Sequence, residues 1–377
     1  MKLMRLRAMA RKEFIQIYRD PRSLGMAIAM PIMLLLLFGY ALALDVDNVP
    51  LVAWDQDGTP VSRELLSHFA ASRFFSLQEY ATGYREMEQA IDSRRALMAL
   101  VIPRGFGGRV ASGRPADVQL IVDGSDANTA TLAIGYADAV ALAYSQDLTI
   151  RAARRANGLT LRAPLDLRPR VWFNTDMESK NYIIPGLIAV IMMIIAALLT
   201  SLTVAREWER GTMEQLISTP VKAPELVLGK LLPYFAIGLF DLVVAVAMGK
   251  VLFGVPMRGN PALLFGVASI FLAGALALGM LISIVTRNQL LANQAGIVLT
   301  FLPAFLLSGF MYAINNMPEA IQLVTYLIPA RYFIALLKGI YLKGVGLEIL
   351  VGDAVLLTLF AVAMVVLANV KFRKKLV

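Results

Sequence analysis

The sequence predicts an α-helical polytopic membrane protein, six transmembrane helices with an inserted extracytoplasmic α/β domain, and three observations carry that reading. Of its 377 residues 58% are hydrophobic, with a mean hydropathy of +0.65, whereas an ordinary soluble chain is roughly 45–50% apolar. The apolar residues gather into runs of about 20 residues or more with few or no charges, each long enough as a helix to cross a hydrocarbon core of roughly 30 Å. Between Asp45 and Lys180 the character changes: 15 Lys+Arg alternate with 17 Asp+Glu, turns appear, and no long apolar run survives.

Taken in order, residues 1–22 carry seven Lys/Arg, with Leu6, Ala10, Phe14, Ile17 and Tyr18 at helical spacing and Arg7, Arg11 and Lys12 around the other side. This predicts a basic amphipathic helix lying in the membrane interface, ended near Asp20-Pro21; charges that merely flank a span are the alternative. Residues 23–44 are the first span. Ala41-Leu42-Ala43 resembles a signal-peptide cleavage site, but a basic region of about 22 residues and an apolar run of about 21 are both too long for one. The span reads as a retained anchor.

Within the 45–180 domain, strands are expected at 51–55, 74–80, 97–102 and 118–122. Helices open at Thr59-Pro60 and Tyr84, and a long helix runs from Asn128 to about Ala156 on a stripe of Leu132, Tyr136, Ala139, Val140, Ala143 and Leu148. A last strand is expected at 171–173. Alternating strands and helices over roughly 135 residues suffice for a separate core.

The second span covers 181–205 and stops at Arg206-Glu207-Trp208-Glu209-Arg210, a charged segment that cannot remain in lipid. After Gly211, apolar Met213, Leu216 and Ile217 fall on one face of a short helix, which Thr219-Pro220 and Ala223-Pro224 end because the residue before a proline leaves the helical region. An exposed helix of this kind needs a partner. Spans follow at 226–252, 262–286, 291–311 and 349–370. Residues 312–348 contain two short apolar pieces split by Pro329-Ala330-Arg331, each too short to cross, and read as outer re-entrant helices. The tail, 371–377, is basic.

Charge sets the orientation. The N-terminus, the 206–230 segment, Arg287 and the tail hold 16 Lys/Arg, against five (Lys250, Arg258, Arg331, Lys338, Lys343) in the opposite short loops. Both termini are therefore placed in the cytoplasm and 45–180 outside. The basic excess lies entirely outside 45–180, where 21 basic residues face 10 acidic ones; it points to lipid headgroups and topology, not to nucleic acid.

Several chemistries are excluded or unsupported. The chain has no cysteine and one histidine, His68, so a thiolate or multi-histidine metal site is not available. No GxxxxGK[ST] occurs: Gly229-Lys230 and Gly249-Lys250 lack the upstream glycine. No carboxylate pair or nucleophile–base set stands out, so no catalytic residue and no metal site are assigned.

Arg11-Lys12-Glu13-Phe14 with Arg19-Asp20-Pro21-Arg22 precedes the first span, and Glu207-Trp208-Glu209-Arg210-Gly211-Thr212-Met213-Glu214-Gln215-Leu216 follows the second. Leu307-Ser308-Gly309, Met317-Pro318 and Pro329-Ala330-Arg331-Tyr332 precede the last. Together these resemble the permease subunit of an ABC transporter of the type 2 exporter (ABC-2) family, in its drug-efflux-like bacterial subgroup with a large periplasmic domain. The resemblance covers essentially the whole chain. It implies a multi-pass protein of the bacterial inner membrane that exports hydrophobic or amphiphilic, drug-like or lipid substrates. It implies a homo- or heterodimer of permeases with two cytoplasmic ATPase subunits that hold the ATP-Mg, this chain binding no cofactor. In this subgroup a periplasmic adaptor and an outer-membrane channel are often partners. By position, 206–225 carries the cytoplasmic coupling helix, with Glu209, Arg210, Gly211, Thr212, Met213, Glu214, Gln215 and Leu216 as its ATPase-coupling residues.

Asp241, near the middle of the third span, is where a charge is expensive. It is either a substrate-pathway or cation contact together with Asn293 and Gln294, or a structural partner of one of them. Asp176, Glu178 and Lys180 ring an exit portal or are a solvated boundary. The competing function class is a membrane-anchored receptor or sensor with a periplasmic ligand-binding domain, but the largest inner loop is only about 25 residues, too short for an output domain of ordinary size.

Overall fold

The computed structural model describes residues 2–41, 48–157, 172–175 and 178–372. Two compact units divide the chain: 1–43 with 171–377, and 44–170. The first unit opens with helix α1 (Leu3–Tyr18) and continues after Asp20 into α2 (Pro21–Ala41).

The second unit holds a four-stranded sheet in the order β2-β1-β3-β4, made by β1 (Val49–Asp55), β2 (Phe75–Tyr80), β3 (Met98–Ile102) and β4 (Gln119–Val122). β1 runs parallel to both β2 and β3, and β4 is antiparallel to β3. Helices α3 (Pro60–Ala71), α4 (Tyr84–Asp92), α5 (Phe106–Ala111) and α6 (Ala127–Asn157) complete it. Alternation along the strands splits the core in two. Leu51, Ala53, Leu100 and Ile102 face Leu65, Phe69, Phe106, Ala133 and Ala137, while Val52, Ala99 and Val101 face Met87 and Ala90. Every predicted strand from 51 to 122 is present. α5 was not expected, because Phe106-Gly107-Gly108-Arg109-Val110-Ala111 reads as a glycine loop. Residues 172–175 form no strand, and Val171 lies outside the described residues, as do Asp176 and most of the basic tail.

The chain then builds the rest of the first unit: α7 (Ser179–Ser201), α8 (Thr203–Glu209), α9 (Thr212–Ser218), α10 (Ala223–Val251) and α11 (Pro261–Thr286). α12 (Gln289–Gly296), a π-helical turn (Ile297–Phe301) and α13 (Leu302–Leu306) follow. α14 (Glu319–Thr325), α15 (Pro329–Lys338) and α16 (Leu347–Lys371) close it. Among the described residues six helices are long and apolar enough to cross a membrane, near the six places expected, and the count is seven if α14 and the stretch from Pro329 to Lys343, bent by 83°, form one further span. The fifth span ends at Leu306 rather than Met311 and is interrupted by its π turn.

α7 and α11 form the buried axis, whereas few residues of α2, α16 and the 289–306 span are buried. Small residues decide the close contacts. A Cβ at Gly279 would run into Thr200 Oγ1, and one at Gly274 would lie 3.0 Å from Ala361 Cα. The small-residue run 273–279 is therefore a packing surface.

Candidate functional site

The site grows from the end of α7. Thr200 Oγ1 donates to the carbonyls of Ala196 (2.8 Å) and Leu276 (2.9 Å), and Thr203 Oγ1 donates to the Thr200 carbonyl at 2.7 Å. The helix breaks at Leu202, freeing backbone donors that a buried segment must satisfy. Ser283 Oγ of α11 accepts both the Val204 and Ala205 amides, at 3.0 and 2.9 Å. α8 is thus fastened rigidly to the axis although the helix is interrupted. It ends at Gly211, which has φ +69°, a left-handed conformation suited to glycine, and α9 starts at once.

Four charged side chains from three helices meet behind α8. Lys230 Nζ of α10 lies 2.7 Å from Glu13 Oε1 of α1 and 2.9 Å from Glu207 Oε1 of α8. Lys12 Nζ reaches Glu207 Oε1 at 2.6 Å and Glu13 Oε1 at 3.7 Å. Lys230 and Glu13 are each only 1% exposed. Two cations and two carboxylates cancel, as burial of charge requires. Gly229 lets α1 approach: a Cβ there would lie 2.6 Å from Met9 Cβ. One turn earlier, Glu225 accepts from the Lys2 amide (2.6 Å) and the Lys222 amide (3.0 Å), and Arg5 donates to the Pro220 carbonyl. So α1 buries Met9 and Glu13 against α10, and Phe14 and Tyr18 of the expected apolar stripe are exposed.

The predicted coupling residues divide between the two sides of this elbow. Met213 is fully buried, Thr212 and Leu216 are half-buried, and Arg210, Gly211, Glu214 and Gln215 are exposed. Glu209 is exposed, but its carboxylate accepts from both the backbone amide (2.7 Å) and the side chain of Gln289. Arg287 lies 4.7 Å over the Trp208 ring. The α11–α12 turn is thereby clamped to α8.

Beside the elbow lies a cavity of about 380 Å³, walled by Met26, Ala27 and Met30 of α2, Ile195, Leu198 and Leu199 of α7, and Tyr234 and Ile237 of α10. Its polar lining includes Asp20, Arg206 and Asn293, with Arg206 Nη1 3.9 Å from Asp20 Oδ2. Of the three predicted pathway residues only Asn293 is on this wall. Gln294 is exposed. Asp241 is buried in α10, and neither of its carboxylate oxygens has a hydrogen-bond partner, so no bond to Asn293 or Gln294 is made.

A short helix with one polar, exposed face thus stands at the end of α8, with the basic helix α1 locked behind it. The profile of the ABC-2 family transporter proteins matches residues 21–370. The chain belongs to the ABC-2 transporter family. It is 36% identical over 373 residues to the Probable multidrug ABC transporter permease YbhS of Escherichia coli, covering 99% of this chain and 97% of that one. It is 31% identical to the Probable multidrug ABC transporter permease YbhR of Escherichia coli, over 92% of each. The Inner membrane transport permease YhhJ of Escherichia coli is 27% identical over 86% of this chain and 85% of its own. This ABC-2 chain is a multi-pass permease subunit of an ABC transporter, not an enzyme.

In this ABC-2 permease the buried quartet was the part least visible in sequence. Lys12, Glu13 and Glu207 stood in the motifs that carried the family resemblance, and Lys230 registered only as a failed phosphate loop. A lysine near the start of an apolar span was the available signal, since such a charge needs partners. Outside the membrane unit, Glu64, His68 and Asp147 bring their ligand atoms within 4.8 Å of one another. Arg151 pairs with both carboxylates, so the group is organised as an ion pair, and His68 packs on the Tyr144 ring at 5.1 Å.

Proposed function

We propose that the protein is the permease of an ATP-driven exporter and that α9, with the end of α8, is its coupling element. The observation that carries this is the elbow itself. Arg210, Glu214 and Gln215 present a polar, exposed face, while Met213 is sunk into the bundle and α8 is tied to α1, α10, α11 and the α11–α12 turn. A push on that face has no slack to absorb it, so ATPase closure becomes a tilt of α7 and a change in the exposure of the bundle. The charge distribution supports both termini and α9 in the cytoplasm and the 45–180 unit on the other side of a bacterial inner membrane. Separate ABC ATPase subunits hold the ATP-Mg, this chain holding none. The functional particle is a permease dimer, homo- or heteromeric, and a periplasmic adaptor with an outer-membrane channel completes the export route. The substrates are hydrophobic or amphiphilic, drug-like or lipid. The apolar cavity at the elbow, with Asn293 on its wall, is the intracellular end of their path, with Asp241 and Gln294 further residues along it.

The test is copurification with the cognate ATPase followed by ATP-dependent export in proteoliposomes. Glu214→Lys with Gln215→Lys is expected to leave the permease folded and to abolish ATPase binding or transport. Full transport by that variant would refute the coupling assignment.

A further inference from the structure

Among the described residues Asp241 is the one side chain whose two carboxylate oxygens are both buried and both without a hydrogen-bond partner; it is 1% exposed. A carboxylate stranded inside a membrane-crossing helix is costly and is retained where something intermittently compensates it. Its place in α10 indicates what. Tyr234 and Ile237 line the cavity beside the elbow, and Asp241 follows Ile237 by four residues. On an α-helix that is about 6 Å further along and only about 40° around. Ile195 of α7 is on the cavity wall as well. At the rim Asp20 and Arg206 are paired, so the charges on the wall cancel, and Tyr234, Asn293 and Gln16 are neutral. The nearest unpartnered ionisable group along the α10 stripe is therefore an acid.

We propose that the groove and Asp241 together form a binding site selective for organic cations. The apolar body of the guest packs against Met30, Ile195, Leu199 and Ile237, and its positive centre is drawn one turn deeper to the Asp241 carboxylate. This rests on reading the cavity as part of the substrate path, and adds the sign of charge that the path selects. A cationic guest supplies the counter-charge that stabilises the Asp241 carboxyl in its ionised form. An anion of the same shape meets an uncompensated like charge and is disfavoured.

The experiment uses two probes of nearly identical size and shape and opposite charge, tetraphenylphosphonium and tetraphenylborate. Each is bound at equilibrium to the full chain in nanodiscs of zwitterionic phosphatidylcholine, with partition into protein-free discs subtracted. The phosphonium is expected to bind saturably and at least about tenfold more tightly than the borate, the size of one charged contact in a dry site. Asp241→Asn should remove that preference and Asp241→Glu should keep it. Ile195→Trp, which fills the groove and leaves the carboxylate in place, should weaken phosphonium binding. Equal affinity for the two ions would overturn the proposal, as would an unchanged preference in Asp241→Asn. If that variant does not fold, unchanged phosphonium affinity in Ile195→Trp overturns it instead. Binding is read on the permease alone, so a negative result leaves the coupling element standing. Loss of ATP-driven export with phosphonium binding intact points the other way.

Discussion

Lys230 sits in an apolar helix because two carboxylates from two other helices reach it, and its removal should be felt in all three. Lys230→Met leaves Glu13 and Glu207 buried with only the half-exposed Lys12 between them, an uncompensated charge that costs about 3–5 kcal/mol. Thermal unfolding in detergent should show the loss. Adding Glu207→Gln and Glu13→Gln to Lys230→Met should restore most of it, because a neutral replacement of a whole buried cluster is close to isoenergetic. A second residue carries a pH signature. The Asp57 carboxylate in the α/β unit accepts from Thr59 Oγ1 (2.6 Å), the Gly107 amide (2.9 Å) and the Gly105 amide (2.7 Å), and these bonds hold its pKa below the ordinary aspartate value. The folded state favours the charged form, so its stabilisation is present above the unfolded pKa and lost as pH falls through the folded one. The protection factors of the Gly105 and Gly107 amides, taken relative to the intrinsic exchange rate at each pH, should therefore fall on acidification, and Asp57→Asn should flatten that dependence. The carboxylates that meet Lys230 lie 217 and 23 positions away in sequence, on other helices, which is why spacing alone did not say what it touched.

At the scale of elements, two glycines govern the elbow. Gly211 holds φ +69° between α8 and α9, and Gly211→Val should cost about 1–2 kcal/mol, the penalty of the left-handed region for a side chain. It should also reorient α9, so export should fall more than stability does; comparing transport with unfolding temperature checks this. Gly279 lets α7 and α11 meet at Thr200. Gly279→Ala should destabilise by about 1–3 kcal/mol through overpacking, and Thr200→Ala should relieve part of that loss. The spans were legible because long apolar runs stand out whether a helix is buried, as α7 and α11 are, or exposed, as α16 is, and the strands because alternation reports a two-sided core. α5 was not, since its helix begins where Asp57 collects the amides of a glycine-rich loop 48 residues away in sequence. The π turn at Ile297–Phe301 was equally hidden. It precedes Pro303, which removes a backbone donor, but no apolar period marks a wider turn.

For the whole molecule, the proposed topology has six crossings, with the folded α/β unit between the first two in sequence. The division into units was legible from the charge census between Asp45 and Lys180, because a domain that makes its own core needs mixed charge and short apolar segments. How α1 fastens to α8 and α10 was not, because that joint is built by side chains from positions about 200 residues apart. The central claim is that α9 and the 45–180 unit face opposite sides of the membrane. The chain has no cysteine, so single introduced thiols report sidedness without background. In intact cells an impermeant maleimide is predicted to label Ser67→Cys in α3, reached from the periplasm, and to leave Gln215→Cys in α9 unlabelled until the cytoplasm is opened. Labelling of both positions from the same side would contradict the account.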